Sequence, residues 1–414
     1  MGLLRFSTKV GSSNRPIDGF RLDHRLQHVF RGGVHHPIVK SAADAAVRWS
    51  ENRLSASPRG LFTAALVFVA VVWVTAFIGF SLAESLLAWD VRFAYLPAAD
   101  AILDGRSPYP GLDDPILEDQ KGYVYPPQLV VALLPLTALP VDVVALLAAI
   151  GMLVLVGLTL RMLDIRDPRC YAAALLWMPT MSGVLLGNVS IPLALAVAVV
   201  WRYRDSVRPP ALALGLAVSA KLLLWPMFVW MLATRRFRAA VAALVIGFAV
   251  TLAAWAAIGF DGLLGYADLL RRLSEIQSEN SYSIVGMAAA LGLGETVGQA
   301  MTLAVGLSLL ASCVVLARRG DEVRSFTCAV AATLALSPIV WLHYLVVLLV
   351  PLAIARPRFS LIWLLPILLW TSPRPGYAEG FQTFLPALAA TILLATLLVR
   401  PRPQGAAART EARA

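Results

Sequence analysis

Five apolar runs constrain this chain more than any other feature: Leu61–Leu82, Val141–Leu160, Phe237–Ile258, Val297–Ala317 and Phe381–Val399. A helix of about 20 apolar residues crosses a hydrocarbon core of roughly 30 Å, and no soluble domain of 414 residues needs so many. Composition agrees, with 59% hydrophobic and 14% charged residues and a mean hydropathy of +0.73, where a soluble domain carries about a quarter charged residues. The polar intervals between the runs are short. The expectation is therefore an all-α, polytopic membrane protein with one membrane domain over residues 61–399, a basic cytoplasmic tail at 1–60 and a second cytoplasmic tail at 400–414.

The net charge of +10 does not point to nucleic acid, because the basic residues cluster in short loops beside the apolar runs, as the positive-inside rule requires of cytoplasmic loops. The clusters are Arg161, Arg166 and Arg169; Arg202, Arg204 and Arg208; Arg235, Arg236 and Arg238; Arg318, Arg319 and Arg324; and Arg356, Arg358, Arg400 and Arg402. Placing all of them inside forces an even number of crossings between each pair of clusters, which predicts roughly twelve transmembrane helices. Some of these, Tyr171–Leu186, Val189–Trp201 and the two halves of Ala211–Thr234, are short for a crossing. Broken helices of that kind line cavities.

The same topology sends the remaining loops outward. The segment from Glu84 to Tyr125 is acidic, and the turn at Gly187-Asn188, the segment Phe260–Ser283, the break at Ser337-Pro338 and the loop Ser372–Gly380 join it on the outer face. After the first span, the spacing of apolar residues from Leu86 to Leu103 predicts an amphipathic helix lying along that surface.

Several residues stand out as carriers of chemistry. Asp90 opens the amphipathic segment, as a helix cap or as a carboxylate facing a cavity. Lys221 lies inside an apolar segment and next to a break at Pro226; an ionisable group there needs a partner or water, and it either snorkels or holds an anion such as phosphate. His343, the one histidine outside the N-terminal tail, sits between two apolar half-runs and suits phosphate binding or an interhelical hydrogen bond. Tyrosines in Gly105-Arg-Ser-Pro-Tyr109-Pro and Tyr123-Val-Tyr125-Pro-Pro127 serve either as interfacial anchors or as faces for a sugar ring. The tail histidines His24, His28, His35 and His36 and the cysteines Cys170, Cys313 and Cys328 lack the spacing of a metal site or disulfide framework, and no nucleotide-binding Gly-rich loop is present. No cofactor is expected.

In succession, Asp90 with Tyr95, Gly105-Arg-Ser-Pro-Tyr109, Tyr125-Pro-Pro127, Pro135, Gly187-Asn188, Lys221 with Pro226, Asn280-Ser-Tyr-Ser283, and Ser337-Pro338 with His343-Tyr344 resemble glycosyltransferase family 87. These are membrane enzymes of the GT-C fold, which include polyprenyl-phosphomannose-dependent alpha-1,2-mannosyltransferases of mycobacteria. The resemblance implies transfer of a sugar, mannose before arabinofuranose, from a polyprenyl phosphate to a glycolipid or glycan acceptor at the outer face of the cell membrane. It implies Asp90 as general base and Lys221, His343 and, as a second choice, Arg92 on the donor phosphate, with Tyr95, Tyr109, Tyr125, Asn188, Asn280 and Tyr344 around the substrates and no metal. A lipid or sugar transporter is the reading from another class, since an intramembrane lysine and a cavity serve it equally.

Overall fold

The computed structural model describes residues 57–371 and 384–398. The expected tails, 1–60 but for its last four residues and 400–414, and the loop at 372–380 lie outside the described residues. The chain divides into the units Met1–Leu61 and Phe62–Ala414. In the first, the Gly60 N–H donates to Ser57 Oγ at 3.2 Å; all that follows concerns the second.

Every regular element among the described residues is helical, and long apolar helices make this a multi-pass membrane protein. The expected count of crossings is corrected: among the described residues four helices are long and apolar enough to span, α1 (Pro58–Ala83), α4 (Val141–Met162), α10 (Phe237–Ala257) and α13 (Glu295–Arg318), not roughly twelve. The other apolar runs fold as short pieces such as α7 (Ser190–Arg202), α8 (Arg208–Ala220), α9 (Pro226–Ala233) and α16 (Leu385–Leu398). Thirteen residues, the length of α7 and α8, rise only about 20 Å. Proline is one cause: Pro179 and Pro226 stand at the first positions of new helices, where the missing N–H does no harm, whereas a preceding helix cannot run through them.

The second cause is burial by protein instead of lipid. From Ser325 to Leu334, α14 (Glu322–Ala335) is buried all round, and the tight helix Leu342–Leu348 with α15 (Leu349–Ala355) is buried from Leu342 to Ala353. These form the core against which the long spans lean. By contrast, α1 buries only Ala70 and Ser81 and presents Phe68, Val71 and Phe80 outward. Helices α8 and α10 touch through small residues, with a Cβ on Gly215 meeting Ala243 O at 2.8 Å and one on Gly247 meeting Gly215 O at 3.2 Å. Such backbone approach is how helices associate when lipid supplies no hydrophobic drive.

Among the described residues, the loops that carry the basic clusters meet one another. Arg202 pairs with Asp164 at 3.2 Å, Arg204 and Arg236 both reach Glu322 at 3.0 and 2.5 Å, Arg236 also reaches Asp205 at 3.0 Å, and the Phe359 N–H donates to Asp167 at 3.1 Å. The acidic and polar loops are likewise bonded to one another: Tyr266 OH to Val124 O at 3.0 Å, Gln277 Nε2 to Leu117 O at 3.1 Å and Tyr282 N–H to Val340 O at 2.8 Å.

Candidate active site

The chain turns sharply after α1. Leu86 and Leu87 N–H both close on Ser81 O, at 2.8 and 3.0 Å, and Ala88 takes φ +56°, a conformation that is unfavourable by about 1–2 kcal/mol for a residue with a Cβ. A π-helical turn, Val91–Tyr95, then leads into α2 (Leu96–Leu103). Arg92 fixes this turn, with Nε donating to Leu87 O at 2.7 Å and a terminal nitrogen to Asp142 at 2.5 Å. The result aims Asp90 into a cavity of about 750 Å³.

Around Asp90 the polar groups are ordered by their own partners. Asn188 Oδ1 accepts from Ser190 N–H at 3.0 Å and Ser190 Oγ at 2.8 Å, so its Nδ2 faces the other way and donates to Asp90 Oδ2 at 2.6 Å and Tyr125 OH at 3.0 Å. Tyr95 OH donates to the same Oδ2 at 3.2 Å. Asp90 Oδ1 takes no protein hydrogen bond among the described residues and is left to the cavity. Asp90 lies beyond the first span, and burial pushes its carboxyl up to about 6, against the lowering effect of Asn188, Tyr95 and the charge of Lys221.

Asn188 reaches Asp90 because Gly187 ends α6 (Met178–Leu186) in the left-handed conformation, φ +65°. A Cβ there would meet Val91 Cγ2 at 2.8 Å and Ala88 Cβ at 3.2 Å. Gly187→Ala is thus expected to destabilise the protein by about 1–2 kcal/mol and to move Asn188 off the carboxylate; a lower Tm together with slower sugar transfer, in one thermal scan and one rate assay, checks it.

Two further polar side chains have no hydrogen-bond partner among the described residues. Helix α8 stops at Lys221, whose backbone is extended (φ −157°, ψ 122°). Its Nζ lies 3.5 Å from the Tyr344 ring centroid and 5.3 Å from that of Tyr125, without a hydrogen-bond acceptor. His343 Nε2 is likewise buried and unpartnered, its ring edge-on to Tyr344 at 4.9 Å. Both residues line the cavity with Asp90, Tyr95, Tyr125, Asn188 and Tyr344. A cation and an imidazole left open in one pocket suit an anion.

Three residues named from the sequence are not on the cavity wall. Arg92 is engaged by Asp142. Tyr109 lies behind Tyr125, donating to Tyr125 O at 3.2 Å and stacked on Trp255 at 5.5 Å. Asn280 is exposed and absent from the lining. The wall also includes residues that no motif in the sequence marks, among them Trp89, Gln120, Tyr266, Ser274 and Gln277. Tyr266 and Gln277 bound α11 (Tyr266–Gln277), where apolar positions 266, 269, 270 and 273 carried a helical signal. Among the described residues no group of three or more His, Cys, Asp or Glu side chains gathers to hold a metal ion.

An all-helical membrane bundle with a cavity at one end, holding a hydrogen-bonded carboxylate and a cation open to it, defines a class of membrane protein able to bind an anionic group. Residues 123–338, more than half of the chain, match glycosyltransferase family 87. The chain belongs to that family and is a membrane glycosyltransferase. It is similar to the polyprenol-phosphate-mannose-dependent alpha-(1-2)-phosphatidylinositol pentamannoside mannosyltransferase of Mycolicibacterium smegmatis, 28% identical over 305 residues, 67% of each chain. No solved structure matches it.

Proposed function

We propose that the protein moves a sugar, mannose before arabinofuranose, from a polyprenyl phosphate to a glycolipid or cell-envelope glycan at the outer face of the cell membrane, with inversion. The observation that carries this reading is the meeting, in one cavity, of the Asp90 carboxylate with the unpartnered Lys221 and His343. The cavity also has an apolar side at the surface of the bundle: Leu222 and Trp225 line it and are 64% and 43% exposed. A lipid-linked donor can keep its tail in the bilayer there while its phosphosugar head enters. The Mycolicibacterium relative uses, by its name, a polyprenol phosphate mannose donor.

In this mechanism Asp90 takes the proton of the acceptor hydroxyl as that oxygen bonds to the anomeric carbon. The bond from the anomeric carbon to the phosphate oxygen breaks, and polyprenyl phosphate leaves with the electron pair. Lys221 Nζ and His343 meet the charge that grows on it. Asn188 and Tyr95 hold the carboxylate in place, and Tyr125 and Tyr344 frame the lysine. Residues 61–399 form the catalytic unit in this reading, with residues 1–60 and 400–414 on the cytoplasmic side.

The test is a transfer assay with purified protein in sealed lipid vesicles, given radiolabelled polyprenyl-phospho-mannose or polyprenyl-phospho-arabinose and followed by linkage analysis. The expected result is label in the acceptor from the mannose donor. Movement of intact donor across the bilayer without transfer from either donor would make the protein a transporter.

A further inference from the structure

The segment Tyr123-Val-Tyr125-Pro-Pro127 is held in an unusual way. Pro126 and Pro127 have no N–H to give, and each disfavours helical backbone at the residue before it, so the segment cannot close into a helix that satisfies its own carbonyls. Three consecutive carbonyls are met instead by tyrosine hydroxyls. Tyr266 OH, on α11, donates to Val124 O at 3.0 Å; Tyr109 OH donates to Tyr125 O at 3.2 Å; and Tyr123 OH donates to Pro126 O at 2.6 Å. Tyr123 OH also accepts from the Val130 N–H at 3.3 Å, an orphan donor in the first turn of α3 (Gln128–Leu133). The rings behind these hydroxyls are packed on one another. Tyr109 stacks on Trp255 at 5.5 Å and lies 5.5 Å from Tyr266 and 5.8 Å from Tyr123, while Gly262, at φ +79°, comes so near that a Cβ there would meet the Tyr109 ring at 2.7 Å.

What the three bonds hold is Tyr125. Its hydroxyl accepts from Asn188 Nδ2 at 3.0 Å, the same nitrogen that donates to Asp90 at 2.6 Å. Neither Tyr109 nor Tyr123 is on the cavity wall. Resting on the transferase reading above, we propose that Tyr109 and Tyr123 are positioning residues for sugar transfer: their hydroxyls fix the carbonyls of Tyr125 and Pro126, and through them the Tyr125 hydroxyl that orients the amide bonded to Asp90. Tyr109 then serves transfer without touching either substrate.

The experiment measures kcat with polyprenyl-phospho-mannose and octyl mannobioside, donor Kd and Tm for Tyr109→Phe and Tyr123→Phe, each made in wild-type protein and in Tyr125→Phe. Each change removes one hydroxyl and keeps the ring. In the wild-type background kcat is expected to fall about ten-fold with donor Kd within about two-fold; once Tyr125 has lost its own hydroxyl, the further fall should be less than about two-fold. A loss of general stability would lower both backgrounds alike. Tyr109 is only partly buried, so Tyr109→Phe decides the question if the fully buried Tyr123 does not tolerate its change. Equal losses in the two backgrounds, or an unchanged kcat in Tyr109→Phe, overturn the positioning role alone. Wild-type protein that neither binds the donor nor transfers from it overturns the transferase reading and the positioning role with it.

Discussion

Asp90→Asn is expected to lower sugar transfer by roughly 100- to 10,000-fold, the contribution of a positioned general base, while donor Kd stays within about two-fold of wild type. Asparagine keeps the size of the side chain and an oxygen for Asn188 Nδ2 and Tyr95 OH, which reach Asp90 at 2.6 and 3.2 Å. What it loses is the basic oxygen that faces the cavity. The base acts when ionised, and burial raises its carboxyl to about 6, so transfer by the wild type should rise with pH through about 6 and level off above it. Tyr95→Phe removes a donor that favours the ionised form, and so should move that midpoint upward. Full transfer by Asp90→Asn with purified donor and acceptor, or a flat pH profile between about pH 5 and 8, would remove Asp90 from the reaction.

The sequence made the long spans legible because an unbroken apolar run of full bilayer length has one physical solution, and α1, α4, α10 and α13 lie where four such runs stand. It could not show that α14 is wrapped in protein, since hydropathy scores a side chain as apolar whether lipid or another helix covers it. Counting α7, α8 and α9 as crossings followed from that blindness and from the even-number rule for basic loops, whereas the structure folds them as short helices with their basic ends tied through Glu322 and Asp205. Within the cavity, Asp90, Asn188, Lys221 and His343 were visible because a polar group at a break in an apolar run needs a reason. Arg92 looked equally suited to an anion; only the fold reveals Asp142, fifty positions on, as its partner. Trp89 and the inner face of α11 escaped notice because aromatic and amphipathic segments at an outer surface have a sufficient explanation in the membrane interface.

Lys221→Met should separate function from stability. An ammonium buried against Tyr344 and Tyr125, with no hydrogen-bond acceptor, has given up its hydration for two aromatic faces and the field of Asp90, a trade that a methionine of similar length avoids. The ligand-free variant is therefore expected to melt no lower than wild type, and higher if relief of the buried charge amounts to about 0.5–2 kcal/mol. Transfer should fall roughly 100- to 1,000-fold, the effect of removing one group that meets charge developing on a leaving phosphate, and donor Kd should weaken because the phosphate carries its charge in the ground state too. Lys221→Arg restores the charge but replaces a compact ammonium with a planar fork, so it should recover donor binding better than rate. If Lys221→Met instead loses Tm as a core truncation does while donor Kd is unchanged, the lysine is a packing element and the anion site lies elsewhere. A residue kept at the expense of stability marks a site selected for its ligand, and in this cavity the open ammonium is positioned for the donor's phosphate.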